Sequence, residues 1–148
     1  MTDQNEPGRG FTEDGVFWEG TREELEAWKQ YKQSKAVAFV GHGYSVSWYP
    51  DGDAWMEVYL PERHHAETPE ILASIKFFRE PSSFGIDGGR VSKLCITRRR
   101  TDVVKQAMGR PYERVEVLFN YDRGPDVDRL RKSVEARKLY QMVLRELN

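Results

Sequence analysis

Three aspartates crowd a short span of this sequence, Asn120-Tyr121-Asp122-Arg123-Gly124-Pro125-Asp126-Val127-Asp128. Carboxylates so close together are the residue type that holds a hard cation. With His42 they would furnish a small metal-dependent hydrolase. The run lacks the ligand order and closing glutamate of an EF-hand. Asp and Asn are also ordinary at turns and helix starts: Asp122 would cap a turn, Gly124 would take a positive φ, and Asp126 and Asp128 would precede a helix. No metal site is therefore expected, and the hydrolase stands third among three functional readings. His64 and His65 are adjacent, so an extended backbone points them to opposite sides and leaves only His42 as a third histidine. The single cysteine, Cys95, excludes an intrachain disulfide and a multi-thiolate zinc site, and it falls mid-strand rather than at a helix N-terminus that would favour its thiolate. No catalytic residue and no cofactor is assigned.

A second phrase runs from Pro81 to Leu94, with Gly85, Gly88 and Gly89 inside five positions between two strand candidates. Glycine permits positive φ and close approach to the backbone, so free amides there would form an anion-binding concavity together with Arg90 and Lys93. The plainer reading is a wide hairpin loop with a bulge. The glycines do not have Walker spacing, and the segment that follows reads as a strand. Arg98-Arg99-Arg100, with Lys105, Arg110 and Arg114, has the charge to follow a phosphate backbone or simply to end a strand in solvent. Trp18, Trp28, Trp48 and Trp55 are simplest as core or half-buried sheet residues, although an exposed pair would stack on a base or anchor a partner.

The chain that must position these residues has 148 amino acids, 39% hydrophobic and 32% charged, which suits one globular domain. Residues 1–72 hold 14 Asp/Glu against 6 Lys/Arg, and residues 73–148 hold 10 against 17. The halves either attract each other within the fold or leave one basic face for an acidic partner. The longest apolar run is Ala36-Val37-Ala38-Phe39-Val40, far below the ~20 residues of a membrane-spanning helix. Residues 1–10 are polar, and read as a flexible tail rather than a secretory signal, with a cytoplasmic setting expected. Thr21 and Glu24 have capping-box spacing ahead of a helix over 22–33. Strands are predicted at 35–40 and 44–49, with a hairpin turn through Pro50-Asp51-Gly52-Asp53 into 54–60. Leu60 to Pro69 reads as a loop and a possible joint at 61–69. Further strands are predicted at 72–79, 91–98 and 113–121, the last alternating Val115, Val117, Phe119 and Tyr121 against Arg114, Glu116 and Asn120. Thr101 is placed as the cap of a short helix stopped by Gly109 and Pro111, and a long amphipathic helix is predicted over 131–147. The expected fold is α+β: residues 11–148 as one two-layer domain, a mainly antiparallel sheet of five or six strands with an N-terminal and a C-terminal helix packed on it.

The stretch Ser74 to Leu94, with Tyr121-Asp122-Arg123-Gly124 and a closing helix downstream, resembles a family of small uncharacterised domains of unknown function from bacterial phages and mobile elements. The likeness is confined to about residues 74–147. It carries the pattern strand, Gly-Ile-x-Gly-Gly-Arg, strand, Tyr-Asp-Arg-Gly turn and helix. The chain departs from it in the Arg98–Pro111 excursion, in Pro125, and in about 70 preceding residues. The resemblance implies a setting rather than an activity, and groups Gly88, Gly89, Arg90, Asp122 and Arg123 through an Arg–Asp pair between the two loops. The leading expectation is a non-catalytic binding or regulatory protein acting by contact with a host protein or protein–nucleic-acid complex. The alternative is a nucleic-acid-binding module with Arg90, Lys93, Arg98, Arg99 and Arg100 on phosphates.

Overall fold

The computed structural model describes residues 8–11, 17–48, 55–62, 65–102 and 112–148. Strands β1 (Gly8–Phe11) and β2 (Phe17–Gly20) form a small antiparallel ribbon that leads into helix α1 (Arg22–Gly41). Six strands follow: β3 (Ser45–Trp48), β4 (Trp55–Glu62), β5 (His65–Phe77), β6 (Val91–Asp102), β7 (Tyr112–Asp122) and β8 (Pro125–Asp128). They form one sheet in chain order, β3-β4-β5-β6-β7-β8, with every pair antiparallel. Helix α2 (Val134–Leu147) closes the described chain. The predicted two-layer α+β arrangement is the one found.

One face of the sheet makes the core. Met56 and Val58 of β4, Ala73, Ile75 and Phe77 of β5, and Leu94 and Ile96 of β6 are fully buried there with Phe39 of α1 and Leu139 and Val143 of α2. Burying each such side chain contributes about 1.5–3 kcal/mol, so the helices are held chiefly by this face. α1 starts where its capping residues require, with the Glu24 amide donating to Thr21 Oγ1 at 3.0 Å. Ser133 Oγ accepts from the Ala136 amide at 3.1 Å and starts α2 three residues later than predicted, after a 3-10 turn over Leu130–Lys132.

The strand predicted at 35–40 is helix. Trp28 and Phe39, eleven residues and three turns apart, are both buried on one stripe, and Lys35 Nζ lies 3.5 Å from Glu146 of α2. The β-branched Val37 and Val40 that suggested a strand stand on the helix's outer side, 65% and 57% exposed. Packing of one residue per three turns overrides local propensity here. α1 ends in a Schellman motif: the Gly43 amide donates to the Val40 carbonyl, the Tyr44 amide donates to that of Phe39, and Gly43 sits at φ +92°.

Other boundaries also move. Gly8–Phe11 is paired strand, so the predicted tail is shortened, residues 1–7 lying outside the described residues. The predicted loop Leu60 to Pro69 is the bulged continuation of the β4–β5 hairpin, with Pro61 opposite Pro69; prolines are tolerated at such bulges. Thr101 pairs with Glu113 within the sheet and does not cap a helix. Residues 103–111, where that helix was placed, and the turn at Pro50–Asp53 lie outside the described residues. Pro125–Asp128, read as a turn and helix start, is a short edge strand against β7.

The glycine-rich loop is closed on itself and on α2. The Gly85, Gly88 and Gly89 amides donate to the carbonyls of Ser82, Gly85 and Ile86, and Asp87 and Gly88 take φ of +52° and +72°. These amides are committed within the loop, so the predicted anion-binding concavity does not form from them. Asn148 Nδ2 donates to the Ile86 carbonyl at 2.8 Å while its Oδ1 accepts from the Val91 amide at 3.1 Å. A Cβ on Gly89 would lie 2.1 Å from Asn148 Oδ1, and one on Gly85 would lie 1.9 Å from the Gly89 carbonyl oxygen. Gly85→Ala, which meets backbone, is expected to destabilise by about 3 kcal/mol or more. Gly89→Ala and Asn148→Ala are each expected to cost about 1–3 kcal/mol. In a double-mutant cycle by urea denaturation those two changes should be strongly non-additive, because either one releases the same two hydrogen bonds.

Candidate functional site

Alternation along each strand sends every second side chain to the face opposite the helices. One cross-strand row on that outer face reads Trp55, Lys76, Lys93, Asp122, taken from β4, β5, β6 and β7 in register. Lys76 and Lys93 are directly opposed, a like-charge placement that destabilises a sheet. Aromatic rings and one carboxylate surround the two ammonium groups. Lys76 Nζ lies 5.7 Å from the Trp55 ring and 5.2 Å from that of Phe78, and Lys93 Nζ lies 5.9 Å from Trp55 and 3.5 Å from Asp122 Oδ1. These cation–π distances are near the outer limit of the interaction, worth about 0.5–1 kcal/mol at exposed sites, so the ammonium groups can move to an arriving anion at small cost.

A cavity of about 310 Å³ opens beside the two lysines of this row, lined by Lys76, Phe78, Ser82, Phe84, Ser92, Lys93 and Arg123. Its walls are tied together. The Arg123 amide donates to the Ser92 carbonyl at 2.9 Å, Tyr121 Oη donates to the Phe84 carbonyl at 3.0 Å, and the Phe84 amide donates to Ser82 Oγ at 3.1 Å. Phe78 and Phe84 are large apolar rings left 42% and 60% exposed at its edge. The site thus combines three cations, three aromatic rings and one carboxylate on a rigid sheet, an arrangement suited to binding an anion that carries a flat group.

The structure separates the residues grouped from sequence. Lys93, Asp122 and Arg123 meet, with Arg123 Nε 3.8 Å from Asp122 Oδ1. Asp122 therefore finds its cationic neighbours in Lys93 and Arg123. Arg90 instead lays its guanidinium 5.1 Å from the Tyr31 ring of α1. Gly88 and Gly89 shape the loop that receives Asn148. Arg98 is turned to the helix side: it pairs with Glu116, with their side chains 15% and 17% exposed, and its Nη1 donates to the Lys132 carbonyl at 3.4 Å. It forms an ion pair on the helix side of the sheet. Arg99, the next residue along, stands opposite Val115, and Arg100 stands opposite Arg114 in register. The basic run is thus split between faces rather than gathered on one.

The aspartates are separated as well. Asp126 Oδ2 accepts from Asn120 Nδ2 at 2.9 Å, and Asp128 Oδ1 accepts from the Leu130 amide at 3.2 Å. Among the described residues, no three His, Cys, Asp or Glu side chains converge to hold a metal ion. Cys95 lies mid-strand as predicted, half-buried between Ser74 and Asn120, and burial pushes its thiol pKa up. Sequence reasoning missed Lys76, Phe78 and Phe84. The signal was present in Ser74-Ile75-Lys76-Phe77-Phe78, where alternation places Ile75 and Phe77 inward and Lys76 and Phe78 outward.

Residues 63–148 match a family described as Domain of unknown function (DUF7678), a span that contains the two phrases singled out from sequence. No curated protein and no solved structure matches the chain. No helix among the described residues is long and apolar enough to cross a membrane.

Two outcomes follow from the site's electrostatics. Arg98→Ala removes the Arg98–Glu116 ion pair and is expected to cost about 2–4 kcal/mol in chemical denaturation, while Arg98→Met with Glu116→Leu recovers most of that loss. Lys76→Glu removes the opposed lysines and is expected to raise stability by a few tenths of a kcal/mol to about 1 kcal/mol, read as an increased denaturation midpoint.

Proposed function

The chain belongs to this family of domains of unknown function, and from its geometry we propose a non-catalytic module that binds single-stranded nucleic acid on the outer face of the sheet. The observation that carries the reading is the directly opposed pair Lys76 and Lys93 beside the Trp55 ring. A sheet that keeps two ammonium groups face to face gains when a phosphate arrives between them. Bases stack on aromatic rings, contributing about 1–3 kcal/mol each, and every base has a face to offer, so the same surface accepts varied sequences. A duplex hides its base faces, which favours single strands on a flat platform of this kind.

Asp122 sets a limit on affinity, because its carboxylate at 3.5 Å partly neutralises Lys93. A second reading, contact with a host protein, has its own observation in Val37 and Val40, which stand exposed on the outer side of α1. Its test is capture of a host protein by the wild-type chain and loss of that protein with Val37→Ser and Val40→Ser.

Fluorescence anisotropy with labelled single-stranded DNA and RNA at several salt concentrations tests the main reading. Binding is expected to weaken with salt, and Lys76→Ala or Lys93→Ala should each flatten the log–log slope by about 0.7. Trp55→Ala should lower affinity by about 1–3 kcal/mol. Asp122→Asn should tighten binding by removing the competing charge. Salt-independent binding, or none, overturns the reading.

A further inference from the structure

We infer that the cavity beside Phe84 is a pocket for one unpaired nucleotide, its base held between Phe78 and Phe84 and its phosphate met by Lys93 and Arg123. This rests on the nucleic-acid reading of the outer face, and adds to it a discrete subsite that works without the rest of a strand.

Size is the first support. At about 310 Å³ the cavity lies at the small end of ligand pockets, fitting a single base with its sugar and not a base pair. Its lining is the second. Two phenylalanine rings stand at the edge although no core needs them there: Phe77, the neighbour of Phe78, is fully buried, whereas Phe78 and Phe84 face solvent. Exposed rings paired with cations are the combination that nucleotides use, the ring taking the base and the cation the phosphate. Ser82 and Ser92 complete the lining with hydroxyl groups, Ser92 Oγ being 3.5 Å from the Lys76 carbonyl.

Backbone geometry is the third. Arg123 has φ +56°, the left-handed region that a side chain with a Cβ enters at a cost, yet Gly124 stands next to it and takes no positive φ. The turn is therefore not arranged for least strain. Its geometry is held by the Arg123 amide donating to Ser92 and the Asp122 amide donating to the Gly124 carbonyl. The result places Arg123 on the cavity wall. Strain maintained by surrounding hydrogen bonds is a mark of a site where side-chain position matters. Walls drawn from the end of β5, the loop after it, the start of β6 and the β7–β8 turn are cross-linked by these bonds, so the pocket is formed before a ligand arrives.

The test is calorimetric titration of the full chain with the four nucleoside 5′-monophosphates, with ribose 5-phosphate and inorganic phosphate as anions lacking a base. At least one nucleotide is expected to bind tenfold or more tightly than ribose 5-phosphate. Phe84→Ala should abolish that difference, and Arg123→Ala should weaken every phosphate ligand together. Phe84→Leu, which keeps apolar bulk without a ring, should retain little of the preference. Equal affinity for nucleotide and ribose 5-phosphate would reduce the pocket to an anion site and overturn the inference. Absence of mononucleotide binding while single strands still bind through Trp55 would overturn the pocket alone. Absence of both would remove the pocket and the function it rests on.

Discussion

Ser92 is one extra residue in β6, and it decides which way the rest of the strand faces. Lys76 pairs with Lys93 and Phe77 with Val91, so Ser92 is left unopposed as a bulge. Val91 and Ser92 are both buried, and from Lys93 onward the alternation is inverted relative to an unbroken strand. Without the bulge Lys93 would point into the core and Leu94 into solvent. The same residue links three elements: its hydroxyl reaches the Lys76 carbonyl and its own carbonyl accepts from the Arg123 amide. The outer row, the cavity and the position of the β7–β8 turn all follow from it.

A second bulge does the corresponding work in β7. Ile96 opposes Phe119 and Thr97 opposes Val117, leaving Leu118 as the inserted residue. The predicted single face of Val115, Val117, Phe119 and Tyr121 is therefore two faces. Val115 and Val117 are 60% and 37% exposed, Leu118 and Phe119 are buried, and Asp122 is brought round to meet Lys93. Two bulges thus keep β6 and β7 in step on both sides of the site, giving a sheet that presents apolar residues to the helices and a mixed basic and aromatic surface outward.

The proposed binding surface is the sheet's second face. Both helices pack on the first, where alternate apolar residues of β4, β5 and β6 form a continuous core. Outer positions such as Lys76 and Lys93 are half-buried rather than open, since long side chains cover one another across strands, and their stems bury apolar area while their charges stay wet. Such a surface resists aggregation by its charge yet keeps rings available for stacking. The part-buried Arg98–Glu116 pair anchors the other end of β6 beneath the turn before α2.

Local chemistry alone determined a good deal. The Thr21 cap, the amphipathic final helix, the strand at Ser45–Trp48 and the three long strands were legible because each depends on residues within a few positions: a hydroxyl three residues before an amide, or a period of two or 3.6. Gly85, Gly88 and Gly89 were legible as a loop with special backbone, though not as a receptacle for Asn148, sixty residues away. Tertiary structure alone decided the rest. Val37 and Val40 became helical because Trp28 and Phe39 needed one buried stripe. Lys76 joined Trp55 and Lys93 because strand register, which no single strand encodes, put them in one row. Bulges at Ser92 and Leu118 reversed the alternation at points where the residue pattern has no mark, since an inserted residue is defined only against its partner strand.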